Sequence, residues 1–210
     1  MASEGAAYLR RFSRTERAIH WVHACAFLAL LGSGLVLYAP RLSEVVGRRP
    51  LVKDVHLLTA VGWALALALI VALGDRHGLR RTLRELDRFD ADDRSWLRRA
   101  RVPQGRLNAG QKLNAALTAA FALLFAVSGT LLWLGERDTR FRLDGSLVLH
   151  DALTFVSLVL LVGHLHLAVV NPTTRHSLRG ITRGTVCRDW AREHHAKWAD
   201  SEHAGRQWER

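Results

Sequence analysis

The sequence predicts an all-α fold: a four-helix transmembrane bundle with further helices lying on the cytoplasmic surface. Three observations predict it. Four long apolar runs are present, none of them contains Lys, Arg or Glu, and the basic residues between them are distributed unevenly. A mean hydropathy of +0.03 conceals this pattern, because apolar spans and charged connections cancel in the average.

The runs cover residues 18–38, 55–73, 113–134 and 147–170, and Asp151 is the one acid inside them. About 20 apolar residues suffice to cross a bilayer core of ~30 Å. Helices of a soluble bundle alternate an apolar face with a polar one, whereas Ala115–Val127 is apolar all round. The spans leave too little chain for a separate soluble domain, so residues 1–210 are expected to form a single membrane domain.

Charge then sets the topology. Arg10, Arg11, Arg14 and Arg17, the eleven basic residues of 74–112 and the eight after Val170 place twenty-three on one side. Residues 39–54 and 135–146 place seven on the other. Basic residues stay cytoplasmic, so both termini and the long middle connection are expected inside, in a bacterial inner membrane. The net charge of +11 is therefore a topology signal and no sign of a nucleic-acid partner. The first run begins only at Ala18 and is too long for a cleavable signal peptide. Cys25 and Cys187 form neither a metal-binding pair nor an implied disulfide.

Small residues interrupt the first span at Gly32-Ser33-Gly34 and the third at Ser128-Gly129, allowing a helix or a flat cofactor to approach the backbone. Leu79, Leu83, Leu86 and Phe89 recur at helical spacing among charges, so residues 76–101 read as one or two amphipathic surface helices. Val102-Pro103-Gln104-Gly105 breaks that pattern. The tail from Arg179 reads as helical with a solvated basic face, and no internal repeat is evident.

Histidine placement carries the functional information. His20 lies at the cytoplasmic end of span one, His56 at the external end of span two, His150 at the external end of span four. His164 follows His150 by fourteen residues, a rise of about 21 Å and a rotation about 40° short of four turns, so the two imidazoles share one helix face. His56 supplies a partner at the depth of His150, and His20 one at the depth of His164. Ionisable residues within spans are costly and face a bundle interior or a functional site. Imidazole is a good iron ligand, so the four residues point to two bis-histidine haems suited to electron transfer. His166 is rotated 160° from His150 beyond four turns and faces away. His23, on a neighbouring face, can border the same cofactor as His20. His77, His176, His194, His195 and His203 sit in basic polar segments and are expected to be solvated.

Arg106-Leu107-Asn108-Ala109-Gly110-Gln111-Lys112 enters span three from the cytoplasmic side. Asn108 and Gln111 offer uncharged hydrogen-bonding groups near the His20/His164 depth, as a quinone carbonyl requires. An ordinary cap by Asn108, with Gln111 completing a capping box, accounts for the same residues.

These stretches resemble the gamma subunit of membrane-bound formate dehydrogenase, a di-haem cytochrome b related to the cytochrome subunits of nickel–iron hydrogenases. The likeness runs from about Arg11 to Trp198. It rests on Arg17-Ala18-Ile19-His20-Trp21, the Arg106–Lys112 segment, the His150/His164 spacing, Arg179–Val186, and Trp190, His194, His195 and Trp198. The resemblance implies two haem b groups, the outer held by His56 and His150 and the inner by His20 and His164. It also implies a menaquinone or ubiquinone site at Asn108, Gly110 and Gln111. The implied partners are an iron–sulfur subunit and a molybdenum- or tungsten-dependent catalytic subunit, since this chain has no cysteine-rich cluster motif. One departure is His166, where the family pattern has tyrosine. A hydrogenase cytochrome subunit is the nearest alternative, and a haem-free membrane anchor or transporter a more distant one.

Overall fold

Polar caps at Ser13 and Asn108 begin the helices of the first and third apolar runs several residues before the runs themselves. The computed structural model describes residues 8–208, with side chains described through Glu202; the solvation expected of His203 lies outside the described residues. Helix α1, Arg14–Tyr38, starts four residues before the apolar run because Ser13 and Glu16 close a capping box. A short helix, α2, Pro40–Val46, leads to α3, Arg49–Leu73, which has Pro50 in its first turn, where a missing N–H costs nothing. Two surface helices follow, α4 at Arg76–Asp87 and α5 at Ala91–Leu97, the latter capped reciprocally by Asp90 and Asp93. The spans then resume with α6, Ala109–Gly135, and α7, Gly145–Leu165. A π-helical turn continues α7 over His166–Val170, marked by Asn171 N–H donating to the His166 carbonyl.

All four predicted spans are therefore present as helices of membrane-crossing length. Their outer surfaces are apolar and uncovered: Leu58 is 72% exposed, Leu65 65% and Val159 71%. Contiguous apolar surface on this scale is not tolerated in water, and lipid is the solvent that satisfies it. The chain is a membrane protein.

The described residues form two compact units, 13–80 and 8–12 with 81–208, the boundary falling inside α4. In the first, α1 and α3 pack antiparallel: Asp75 N–H donates to Thr15 Oγ1 at one end, and Ser33 meets His56 toward the other. In the second, α6 and α7 pack in the same way, with Ser128 meeting His150.

The second unit also holds a small polar-ended core that hydropathy did not announce. Strand β1, Tyr8–Arg10, pairs antiparallel with β2, Thr185–Cys187, setting Leu9 opposite Val186. Helix α8, Leu178–Arg183, ends on Gly184 at φ +83°, a left-handed conformation suited to glycine, and so turns the chain into β2. Helices α9, Arg188–His194, and α10, Ala196–Trp208, add Trp190, Ala191, Trp198 and Ala199 to Leu9 and Val186. The tail is thus helical as expected, but one side of it is a core. Cys25 and Cys187 are free thiols.

Candidate functional site

Each membrane hairpin cradles one histidine with a Ser-Gly pair from the facing helix. On α3, His56 Nδ1 lies 2.9 Å from Ser33 Oγ, and a Cβ on Gly34 would lie 3.5 Å from His56 Cε1. On α7, His150 Nδ1 lies 2.9 Å from Ser128 Oγ, and a Cβ on Gly129 would lie 3.5 Å from His150 Cε1. Both imidazoles are half-buried, and Phe125 meets His150 edge-on at 5.0 Å.

Hydrogen-bond counting assigns the tautomers. A serine hydroxyl has one proton. Ser33 Oγ also lies 2.8 Å from the Ala29 carbonyl, and Ser128 Oγ 2.8 Å from the Leu124 carbonyl. Every short contact is attractive only if the hydroxyl donates to the carbonyl and accepts from Nδ1–H. The lone pair of each imidazole then sits on Nε2. The sequence reading singled out both Ser-Gly pairs but not this bond; the signal was a histidine 23 residues after Ser33 and one 22 residues after Ser128.

The other expected ligands lie further along the same helices. His20 is half-buried on α1, with its ring edge-on to Trp21 at 5.5 Å. Ser33, which marks the level of His56, stands 13 residues beyond His20, about 20 Å along α1. His164 is exposed on α7, about 21 Å beyond His150. The stretch between them is uninterrupted α-helix, and the π-helical turn begins only at His166, so the rotation computed from the sequence holds. Each hairpin thus carries histidines at two levels about 20 Å apart. His23 turns toward Trp63 of α3, ring centroids 5.7 Å apart.

At the start of α6 the capping box forms in full. Asn108 Oδ1 accepts from Gln111 N–H at 2.9 Å, and Gln111 Oε1 accepts from Asn108 N–H at 3.1 Å. Both amide oxygens are thereby engaged in capping, and each side chain keeps its NH2 group as a donor. Gly110 has a steric reason: a Cβ there would stand 3.0 Å from Trp96 Cη2 and 3.2 Å from Cζ3. Lys112 is nearly buried and pairs with buried Asp93, while its ammonium also donates to the Arg88 carbonyl.

Behind this turn lies a buried basic cluster. Arg11 Nη2 donates to the Arg106 carbonyl at 2.8 Å and Gln111 Oε1 at 3.1 Å, and meets His195 Nε2 at 2.9 Å. Arg106 returns a bond to the Arg11 carbonyl and pairs with Glu85 at 2.7 Å. His195 Nδ1–H donates to the Gly105 carbonyl, so its Nε2 accepts from Arg11. His195 is 1% exposed, which corrects the expectation that it is solvated. Burial and then the Arg11 charge push its pKa down to about 3, leaving it neutral. Burial and then Arg106 likewise push the Arg11 guanidinium down to about 9. His194 is half-buried and stacks on Trp190 at 4.8 Å; His77 and His176 are exposed, as expected.

Comparison with known proteins agrees with the resemblance drawn from the residues. The chain is 24% identical to the cytochrome b556(fdo) subunit of formate dehydrogenase from Escherichia coli K12, covering 90% of both chains. It is 22% identical to the nitrate-inducible formate dehydrogenase cytochrome b556(Fdn) subunit from the same strain, over 87% of this chain and 86% of that one. The formate dehydrogenase cytochrome b556 subunit of Haemophilus influenzae is 22% identical, over 90% of this chain and 81% of its own length. Membership of a cytochrome b family implies haem b, and the donor set fits: imidazoles on membrane helices, two with the lone pair assigned to Nε2. The profile of prokaryotic cytochrome b561 matches residues 11–184, and the chain belongs to that family.

Proposed function

We propose that this chain is the di-haem b membrane subunit of a formate dehydrogenase complex. It takes electrons from an iron–sulfur subunit and passes them across the bacterial inner membrane to menaquinone or ubiquinone. The observation that carries the reading is the repeated two-level spacing: His20 to the level of His56 on one hairpin, His150 to His164 on the other, each about 20 Å. His56 with His150 would hold the outer group, and His20 with His164 the inner. Haem b held by these imidazoles would supply reversible one-electron exchange.

The chain's own residues supply position and polarity. Lipid-embedded imidazoles need a partner for each polar atom, and Ser33 and Ser128 provide one for Nδ1. On the cytoplasmic side, the Asn108 and Gln111 amide NH2 groups would donate to a quinone carbonyl. Arg11, bonded to Gln111 Oε1, places positive charge behind that donor, which favours charge building up on the ring oxygen. Gly110 keeps the turn narrow against Trp96. With both termini cytoplasmic, the whole chain forms one membrane domain and takes quinol protons from the cytoplasm. The partner doing formate chemistry would be a molybdenum- or tungsten-dependent catalytic subunit; the relatives' names support a formate dehydrogenase complex and no more than that.

Haem quantification and reduced-minus-oxidised absorbance on the complex purified in mild detergent test this. Two b-type haems per chain are expected, with an iron–sulfur and a catalytic subunit co-purifying. His56→Ala is expected to remove one haem and spare the other, and His20→Ala to remove the remaining one instead. A co-purifying hydrogenase would reassign the complex, and a folded chain without porphyrin would end the reading.

A further inference from the structure

Among the polar groups within the spans, Ser33 and Ser128 are used by neither haem ligation nor quinone binding, yet they occupy equivalent places in the two hairpins. Each sits one residue before a glycine, in the second half of the first span of its hairpin, opposite a histidine near the start of the next span. Each holds a backbone carbonyl four residues back at 2.8 Å and an imidazole Nδ1 at 2.9 Å. Ser128 is fully buried. A serine that merely satisfied its own hydroxyl would need only the carbonyl.

We propose that Ser33 and Ser128 are positioning residues for His56 and His150: each fixes the Nδ1–H tautomer and makes Nε2 a stronger donor to a metal. The proposal rests on those histidines being haem ligands. The physical basis is transfer of electron density. An Nδ1–H that donates to an oxygen becomes slightly anionic in character and raises the basicity of Nε2. A stronger imidazole donor favours ferric over ferrous iron, so the serines hold the outer haem at a lower potential. In lipid no water competes for Nδ1–H, so the bond persists. Glycine at 34 and 129 is a lesser requirement, since a Cβ at either would make ordinary van der Waals contact with the ring.

Potentiometric titration of the haem bands in the purified complex tests this with Ser33→Ala, Ser128→Ala and the corresponding threonine variants. Both alanine variants are expected to shift the midpoint of one haem positively and leave the other in place. A tenfold loss of preference for ferric iron would read as about 59 mV. Threonine keeps a hydroxyl able to reach the same carbonyl and is expected to hold the original potential. Unshifted potentials in alanine variants with full haem content would overturn the proposal, as would threonine variants shifted as far as alanine. Should an alanine variant lose its haem, the threonine variant decides: retention at the original potential supports the role, and loss overturns it. If Ser33→Ala shifts one haem and Ser128→Ala the other, the serine role stands and the pairing of His56 with His150 fails.

Discussion

Arg11 Nη2 stands 2.9 Å from His195 Nε2, joining residues 184 positions apart where both are almost fully buried. The contact requires a neutral imidazole, because two cations could not share it. It ties β1 to the turn after α9, and through Gln111 it reaches the first turn of α6.

That contact makes stability depend on pH. His195 is held near 3 in the folded chain and returns to about 6.5 when unfolded, so below 6.5 the unfolded state binds the extra proton. Its contribution is complete above pH 6.5 and is lost as pH falls toward 3, at up to about 1.4 kcal/mol per pH unit. Thermal unfolding in detergent is expected to show a lower Tm at pH 5 than at pH 7, and His195→Gln a flatter profile. Equal slopes would assign the acid sensitivity elsewhere.

Asn108 is expected to have two separable roles. Asn108→Ala loses the cap, at a cost of about 1 kcal/mol, and the donor as well. Asn108→Asp keeps an oxygen for the Gln111 N–H but has no NH2 to offer a quinone. The aspartate variant should therefore retain stability and both haem spectra while quinone reduction slows. An unchanged quinone rate would leave Asn108 a cap only.

Gly110 should prove a matter of shape. The methyl of Gly110→Ala would press on the Trp96 ring and cost about 1–3 kcal/mol. Gly110→Ala with Trp96→Leu is expected to recover most of the Tm. If stability returns and quinone reduction returns with it, Gly110 acts through packing rather than by touching the substrate.

Two ion pairs of similar chemistry should behave differently. Asp93→Ala strands the Lys112 ammonium in a buried site and is expected to cost about 3–5 kcal/mol. Lys197 bonds Asp90 at 2.7 Å with both side chains about half exposed, so Lys197→Ala should cost no more than about 1 kcal/mol, less at high salt. Denaturation of the two variants side by side in low and high salt checks the contrast.

The spans, the Asn108/Gln111 cap and the His150/His164 spacing were legible because each is a local property. Hydropathy over about 20 residues, a polar residue three positions before another, and fourteen residues at 100° each need no knowledge of the rest of the chain. The sequence also marked Ser33-Gly34 and Ser128-Gly129, although not their partners. What those serines bond, and why His195 is buried among arginines rather than solvated, depended on residues 22 to 184 positions away. The β1–β2 ribbon escaped notice for the same reason, since three residues per strand leave no periodicity to read. Sequence alone determined which segments form apolar helices of membrane-crossing length and how far apart along one helix two histidines stand, because solvation and helical rise act residue by residue. Only tertiary packing decided which polar group faces which, because a hydrogen bond is chosen by proximity, and proximity between distant segments is created by folding.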